Sequence, residues 1–169
     1  MIYIGIDPGV TGAMAILFWE NDTEPEIYDY QNKFNALSKL KVISETDEPF
    51  AIIEKVHAMY KQSAHNTFKF GENFGEWQGI LQAFNIPYAL IPPKEWQKEI
   101  FAPMEDDIYK LGKNGHSQLD RKEMSRQKAI SLFPKIQDQL KRKKDHNRAD
   151  ALLITKYCIR YCEIQRRIK

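Results

Sequence analysis

The first residues alternate: Ile2, Ile4 and Ile6 are separated by Tyr3, Gly5 and Asp7, the two-residue period of a strand with a face in a core. Gly9 and Gly12 mark a tight turn into a second apolar run over residues 12–19, and EIYDYQ at 26–31 gives a third strand after a polar connection. Sequential strands with short turns predict an antiparallel meander. Leu37, Leu40 and Ile43 then recur at three-residue steps, a helical period. FAIIEKV at 50–56 is apolar on both faces, as in a central strand covered on two sides. A long helix is expected from about Asn66 to Phe84, where Phe70, Phe74, Trp77 and Leu81 follow at steps of four, three and four. PYALIP gives a fifth strand, and PKEWQKEI a short helix with proline at its start. From Pro103 to Asp120 the chain is charged, glycine-containing and aperiodic, which predicts a mobile excursion. RKEMSRQKAISLF resumes a helix that stops before Pro134, and the last helix, HNRADALLITKYCIRYC, follows the basic run KRKK at 141–144. The order βββαβαβα(α)α predicts an α/β protein with a sheet antiparallel at one end and parallel beyond it.

Composition adds bounds. The 169 residues, 43% of them hydrophobic, suit one domain spanning 1–169 with a sizeable core. A formal charge of +2 neither demands nor excludes a polyanionic partner, so local clusters decide. Cys158 and Cys162, four apart on the last helix, fit neither zinc-knuckle spacing nor a disulfide framework and read as packing thiols. The chain opens directly on a strand, without the basic and apolar segments of a leader, and no apolar run reaches about 18 residues. The expectation is a soluble, cytoplasmic protein with no membrane partner.

Two predicted central strands end on acids, Asp7 and Glu54, although an unpaired charge beside a core is costly. In a mixed sheet of this order the first and fourth strands can be neighbours, which brings these carboxylates to one end. A third acid, Asp150, lies in the first turn of the last helix, and His146 and Asn147, four and three residues earlier, share its face. Like carboxylates at short range raise one another's pKa, and the usual resolution is a shared proton or a divalent cation held by oxygen ligands. Each acid alone also has an ordinary explanation. Asp7 before Pro8 and Gly9 is good turn chemistry, Glu54 could pair with a lysine, and Asp150 suits a helix N-terminus. Gly71, Gly75 and Gly79 repeat every four residues along the long helix, each costing about 1 kcal/mol relative to alanine. Such a stripe predicts close packing, against the chain's own sheet or against the same helix of a second copy.

IGIDPGVTG, AIIEKVHAM and DHNRADALLIT, in this order and at these separations, resemble the RuvC branch of the RNase H-like nucleases, the Holliday junction resolvases. The resemblance runs from Ile4 to about Tyr157. It implies a five-stranded mixed sheet, with three antiparallel and two parallel strands flanked by helices, a homodimer, and metal-dependent incision of branched DNA. By motif position Asp7, Glu54 and Asp150 fall on the family's metal-binding acids. The fourth catalytic position of the family, an acid or histidine three residues before the last acid, holds Asn147 here; His146 and Asp145 are the alternatives for that role. His57, followed by Met59 and Tyr60, stands where many relatives carry an aromatic that stacks at the opened junction. The excursion at 103–121 has no obvious counterpart in the short bacterial enzymes. Both departures look more like the phage-encoded resolvases, some of which act on several branched structures, and imply the cytoplasm of a bacterial host.

The implied mechanism uses two Mg2+ ions, replaceable by Mn2+, about 3.5–4 Å apart on the scissile phosphate. Asp7 would bridge both, Glu54 and Asp150 would each favour one, and His146 or Asn147 would orient water. Products would carry 5′-phosphate and 3′-hydroxyl ends. Lys122, in RKEMSRQKAISLFP, matches the segment where relatives carry a lysine that meets the backbone phosphate. Lys55, His57, Lys94, Lys98 and Lys143 are further candidate DNA contacts, of the kind that make affinity fall with salt while carrying little sequence information. The opening also resembles the phosphate hairpin of actin-like ATPases, but those enclose the nucleotide between two such domains, and no G-x-x-x-x-G-K-[ST] motif occurs. The remaining alternatives are a related nuclease for flaps or RNA–DNA hybrids, and a branched-DNA-binding protein without strong junction specificity.

Overall fold

The computed structural model describes residues 1–19, 23–46, 48–55, 63–102, 109–111 and 117–168. Five strands, β1 (Ile2–Asp7), β2 (Ala13–Phe18), β3 (Glu26–Asp29), β4 (Pro49–Glu54) and β5 (Tyr88–Ile91), form one sheet in the order β3-β2-β1-β4-β5. β1, β2 and β3 run antiparallel as the alternating pattern predicts, whereas β4 pairs parallel to β1, and β5 parallel to β4. Parallel neighbours need crossovers, which α1 (Lys33–Thr46) and α2 (Ala64–Ala83) supply. After β5 come α3 (Pro93–Phe101), α4 (Arg121–Leu132) and α5 (His146–Ile168).

Strand periodicity sorts the side chains into two cores. Ile2, Ile4 and Ile6 of β1 pack with Ala51 and Ile53 of β4, Leu40 and Ile43 of α1, and Trp77 and Leu81 of α2. On the opposite face Tyr3 and Ile52 pack with Trp96 of α3, Ala129 of α4, and Leu152, Leu153 and Cys158 of α5. Both cysteines are buried free thiols, Cys158 donating to the carbonyl of Phe50. Helix α5 lies directly on β1. A Cβ at Gly5 would stand 2.3 Å from the Thr155 backbone nitrogen and 2.4 Å from the Ala151 carbonyl oxygen. Glycine at position 5 is therefore what lets helix and strand backbones approach so closely.

Four expectations change. Tyr30–Asn32 leave the third strand as a 3-10 turn, because Tyr30 turns inward, its amide donating to the Gly12 carbonyl. The segment read as an aperiodic excursion contains two short antiparallel strands, β6 (Tyr109–Leu111) and β7 (Ser117–Leu119), with the rest of it outside the described residues. Alternation over three residues is too short to register in the sequence. Pro134–Leu140 and Lys143–Asp145, read only as a connection, wind as 3-10 helix. Gly71, Gly75 and Gly79 do not face the sheet, since nothing stands within 4 Å of a Cβ built at any of them. The reading in which they pack on the chain's own sheet is thus overturned.

Candidate active site

One step beyond the last ladder pair of β1 and β4, Ile6 with Ile53, come Asp7 and Glu54. Adjacent strands are about 4.8 Å apart, and residues in parallel register point to the same face, here the one covered by α5. Because α5 begins beside the turn after β1, Asp150 arrives over the same strand end, one helical turn in rather than in the first. Asn147 fastens this placement, its Nδ2 donating to the carbonyl and hydroxyl oxygens of Thr11 at 2.6 and 2.7 Å. Arg148 fastens it a second time through a two-pronged ion pair with Asp29 of β3.

Each acid is held by a donor that fixes its orientation. Pro8 has no N–H, so the first amide available to Asp7 is that of Gly9, which donates to Oδ1 at 2.9 Å. Trp96 Nε1 donates to Oε1 of Glu54 at 2.9 Å, and Ser125 of α4 to Asp150. Asp7 is 8% exposed, whereas Glu54 and Asp150 are half-buried, so the group opens to solvent on their side. Burial pushes Asp7 up to about 6, opposed by the Gly9 amide and the charge of Lys122. Burial and then the charge of Asp7 push Glu54 up to about 7 against the Trp96 hydrogen bond. Asp150 is raised well above the ordinary range by burial, then by Asp7 and, more weakly, by Glu54. Glu54 thus feels the charge of Asp7, and Asp150 that of both, which puts the three at the same end of the sheet.

Those three carboxylates fit oxygen-preferring divalent cations. Their negative charge is buried, mutually repelling, and opposed by Lys122 of α4 as the cation that acts on both Asp7 and Asp150. Among the described residues no group of three His, Cys, Asp or Glu side chains could by itself hold a metal ion. A cation here would have to draw much of its shell from water or a bound phosphate.

The neighbouring positions divide. Asp145 is buried and bound by the backbone amide and guanidinium of Arg142, which hold its carboxyl below the usual range against burial; this leaves it occupied in capping the helix. His146 stands half-buried with Nδ1 3.1 Å from the Lys143 carbonyl, its pKa lowered by burial and by Lys122. Asn147 spends its amide nitrogen on Thr11, so only Oδ1 is available to a ligand. Lys122 faces the acids, and Lys55 is exposed directly after Glu54. Lys143 lies 3.6 Å from Asp120, the N-cap of α4. Lys94 and Lys98 line a separate groove of about 410 Å³ between α3 and α4, with Arg121 and Gln97. His57 lies outside the described residues. Trp96 and Ser125 were missed by sequence reading. Ser125 carried a weak signal, three residues after Lys122 and hence on its face, but a tryptophan that reads as core gives no hint of a polar duty.

A five-stranded mixed sheet in the order 3-2-1-4-5, with helices on both faces, is the RNase H-like fold. Within that class the fold is of the RuvC type. It aligns with Thermus thermophilus RuvC in complex with a Holliday junction substrate at a TM-score of 0.54 and 16% identity, over 92% of this chain and 90% of that one. A second T. thermophilus RuvC structure gives a TM-score of 0.57 at 15% identity, over 98% and 97%. No family model matches the sequence, and neither does any curated protein.

Proposed function

We propose that the chain is a metal-dependent, structure-selective endodeoxyribonuclease that resolves Holliday junctions and related branched DNA. The observation that carries this reading is the convergence of Asp7, Glu54 and Asp150 on one open space of a RuvC-type fold, with the repulsion among them left for a cation to relieve. Asp7, between the other two, would contribute to both of two Mg2+ or Mn2+ ions, and Glu54 and Asp150 to one each. Such ions supply Lewis-acid activation of water and stabilise the leaving 3′ oxygen, giving 5′-phosphate and 3′-hydroxyl ends.

The chain's own residues do the rest. The Gly9 amide, Trp96 and Ser125 keep the three carboxylates aimed, and Lys122 places a positive charge where a backbone phosphate would lie. His146 and Asn147 border the space where water would be oriented. Lys55, Lys94, Lys98 and Lys143 would attract the DNA arms. Cutting two symmetric strands calls for a two-fold dimer. The exposed stripe of Gly71, Gly75 and Gly79 on α2, open on its outer side, is the proposed seam.

The test is incision of a mobile four-way junction, a flap and an RNA–DNA hybrid with Mg2+, each repeated with chelator. The reading expects cleavage of the junction in two symmetric strands. It also expects Asp7→Asn to abolish cleavage while junction binding persists. Cleavage by that variant would exclude the metal role, and preference for flap or hybrid would reassign the substrate. Binding with no incision of any substrate would leave a branched-DNA-binding protein.

A further inference from the structure

Asn73 is a polar side chain only 7% exposed, one of the buried residues of α2 with Trp77 and Leu81. A buried amide in such a place needs a partner. Its Nδ2 finds the carbonyl oxygen of Gly9 at 3.3 Å, the long end of the N–H···O range. That carbonyl also accepts from the Gly12 amide at 2.8 Å, and Gly9 in turn donates its own N–H to Oδ1 of Asp7. One residue thus receives the helix on its carbonyl side and grips the carboxylate on its amide side. Glycine has the widest choice of backbone angles, so the direction of the Gly9 amide is not set by the residue itself. It is set by what binds its two ends.

Resting on the metal-dependent reading above, we infer that Asn73 is a positioning residue: by bonding the Gly9 carbonyl it holds the turn whose amide aims Asp7 at the cation space. The same helix is tied to this region a second time through Glu76, which accepts from Tyr30 and from Lys33, the latter at 2.8 Å. Tyr30 is itself bonded to the turn, its amide donating to the Gly12 carbonyl, so the control is taken at Lys33, whose ammonium pairs with Glu76 on α2.

The experiment measures Mn2+ binding to the full-length, DNA-free protein by electron paramagnetic resonance, alongside thermal unfolding. Asn73→Leu keeps the side chain's bulk and removes its donor; Asn73→Ala serves if the leucine does not pack. Supporting partners of metal ligands are worth roughly 10–100-fold in metal affinity, and an effect of roughly tenfold is expected here. Lys33→Met should lower stability slightly and leave Mn2+ affinity unchanged. Binding within twofold of the parent in the Asn73 variants, while Asp7→Asn loses it, would overturn the positioning role and leave the metal reading standing. Binding that survives Asp7→Asn would overturn the metal reading and this inference with it. An equal loss of affinity in Lys33→Met would show a general loosening of α2 instead, and would also overturn it.

Discussion

Trp96 illustrates how one residue serves two levels at once. Its ring is fully buried among α3, α5 and the sheet, while its single polar atom reaches the carboxylate at the end of β4. Donation to a carboxylate favours the charged form, so Trp96→Phe, which keeps the ring, should raise the pKa of Glu54 further above about 7. A hydrogen bond to a charged group is worth about 1.5 kcal/mol or more, so the Glu54 titration of the metal-free protein, followed by NMR, should move up by about one pH unit. An unmoved titration would show that the Trp96 bond does not favour the charged form. Gly5 is a residue of the opposite kind, important for what it lacks. With helix backbone 2.3 Å from its missing Cβ, Gly5→Ala must displace α5 or β1. A loss of about 3 kcal/mol in urea unfolding, the upper end for overpacking, is expected.

At the scale of elements, most of the fold was legible because periodicity is a physical requirement of burial. The alternation at Ile2, Ile4 and Ile6 and the doubly apolar FAII identified β1 and β4, and their acidic ends supplied the candidate site. What the sequence did not show depends on contacts between distant segments. That α3 serves Glu54 through Trp96, or that α4 serves Asp150 through Ser125, follows from how helices land on a sheet, and no local pattern encodes it. Nor does spacing distinguish a glycine stripe facing inward from one facing out. Helix α2 supplies the prediction proper to this scale. With open space at Gly75, alanine should add about 1 kcal/mol to the stability of an isolated protomer by helix propensity alone. If α2 is the dimer seam, Gly75→Leu should keep that folded protomer yet abolish self-association in sedimentation. A leucine variant that still dimerises would move the seam elsewhere.

Across the whole molecule, the three acids make stability depend on pH in an unusual direction. Asp7 and Glu54 titrate near about 6 and about 7 when folded, against 3.8 and 4.5 when free. Between those limits the folded chain holds more protons than the unfolded one, so the metal-free protein should lose stability as pH rises from about 4 through 7. Differential scanning calorimetry without divalent cations should show Tm falling over that interval, and Mn2+ restoring it at pH 8 but not at pH 5. Asp7→Asn removes the charge that the other two oppose. In the absence of metal at pH 8 its Tm should exceed that of the parent by several degrees, since 1 kcal/mol corresponds to about 2–4 °C at this size. A lower Tm would mean that the repulsion is already relieved within the chain.

Among the described residues no helix is long and apolar enough to cross a membrane. The strand pairing of β1 with β4 has a last consequence. Because Asp7 and Glu54 stand one step beyond the last rung of one parallel ladder, Ile6 with Ile53, the spacing of their backbones is gauged by backbone hydrogen bonds rather than by any side chain. Substitutions in either core can soften the protein without stretching that gauge. The gap between the two acids should therefore drift far less than the sequence around it.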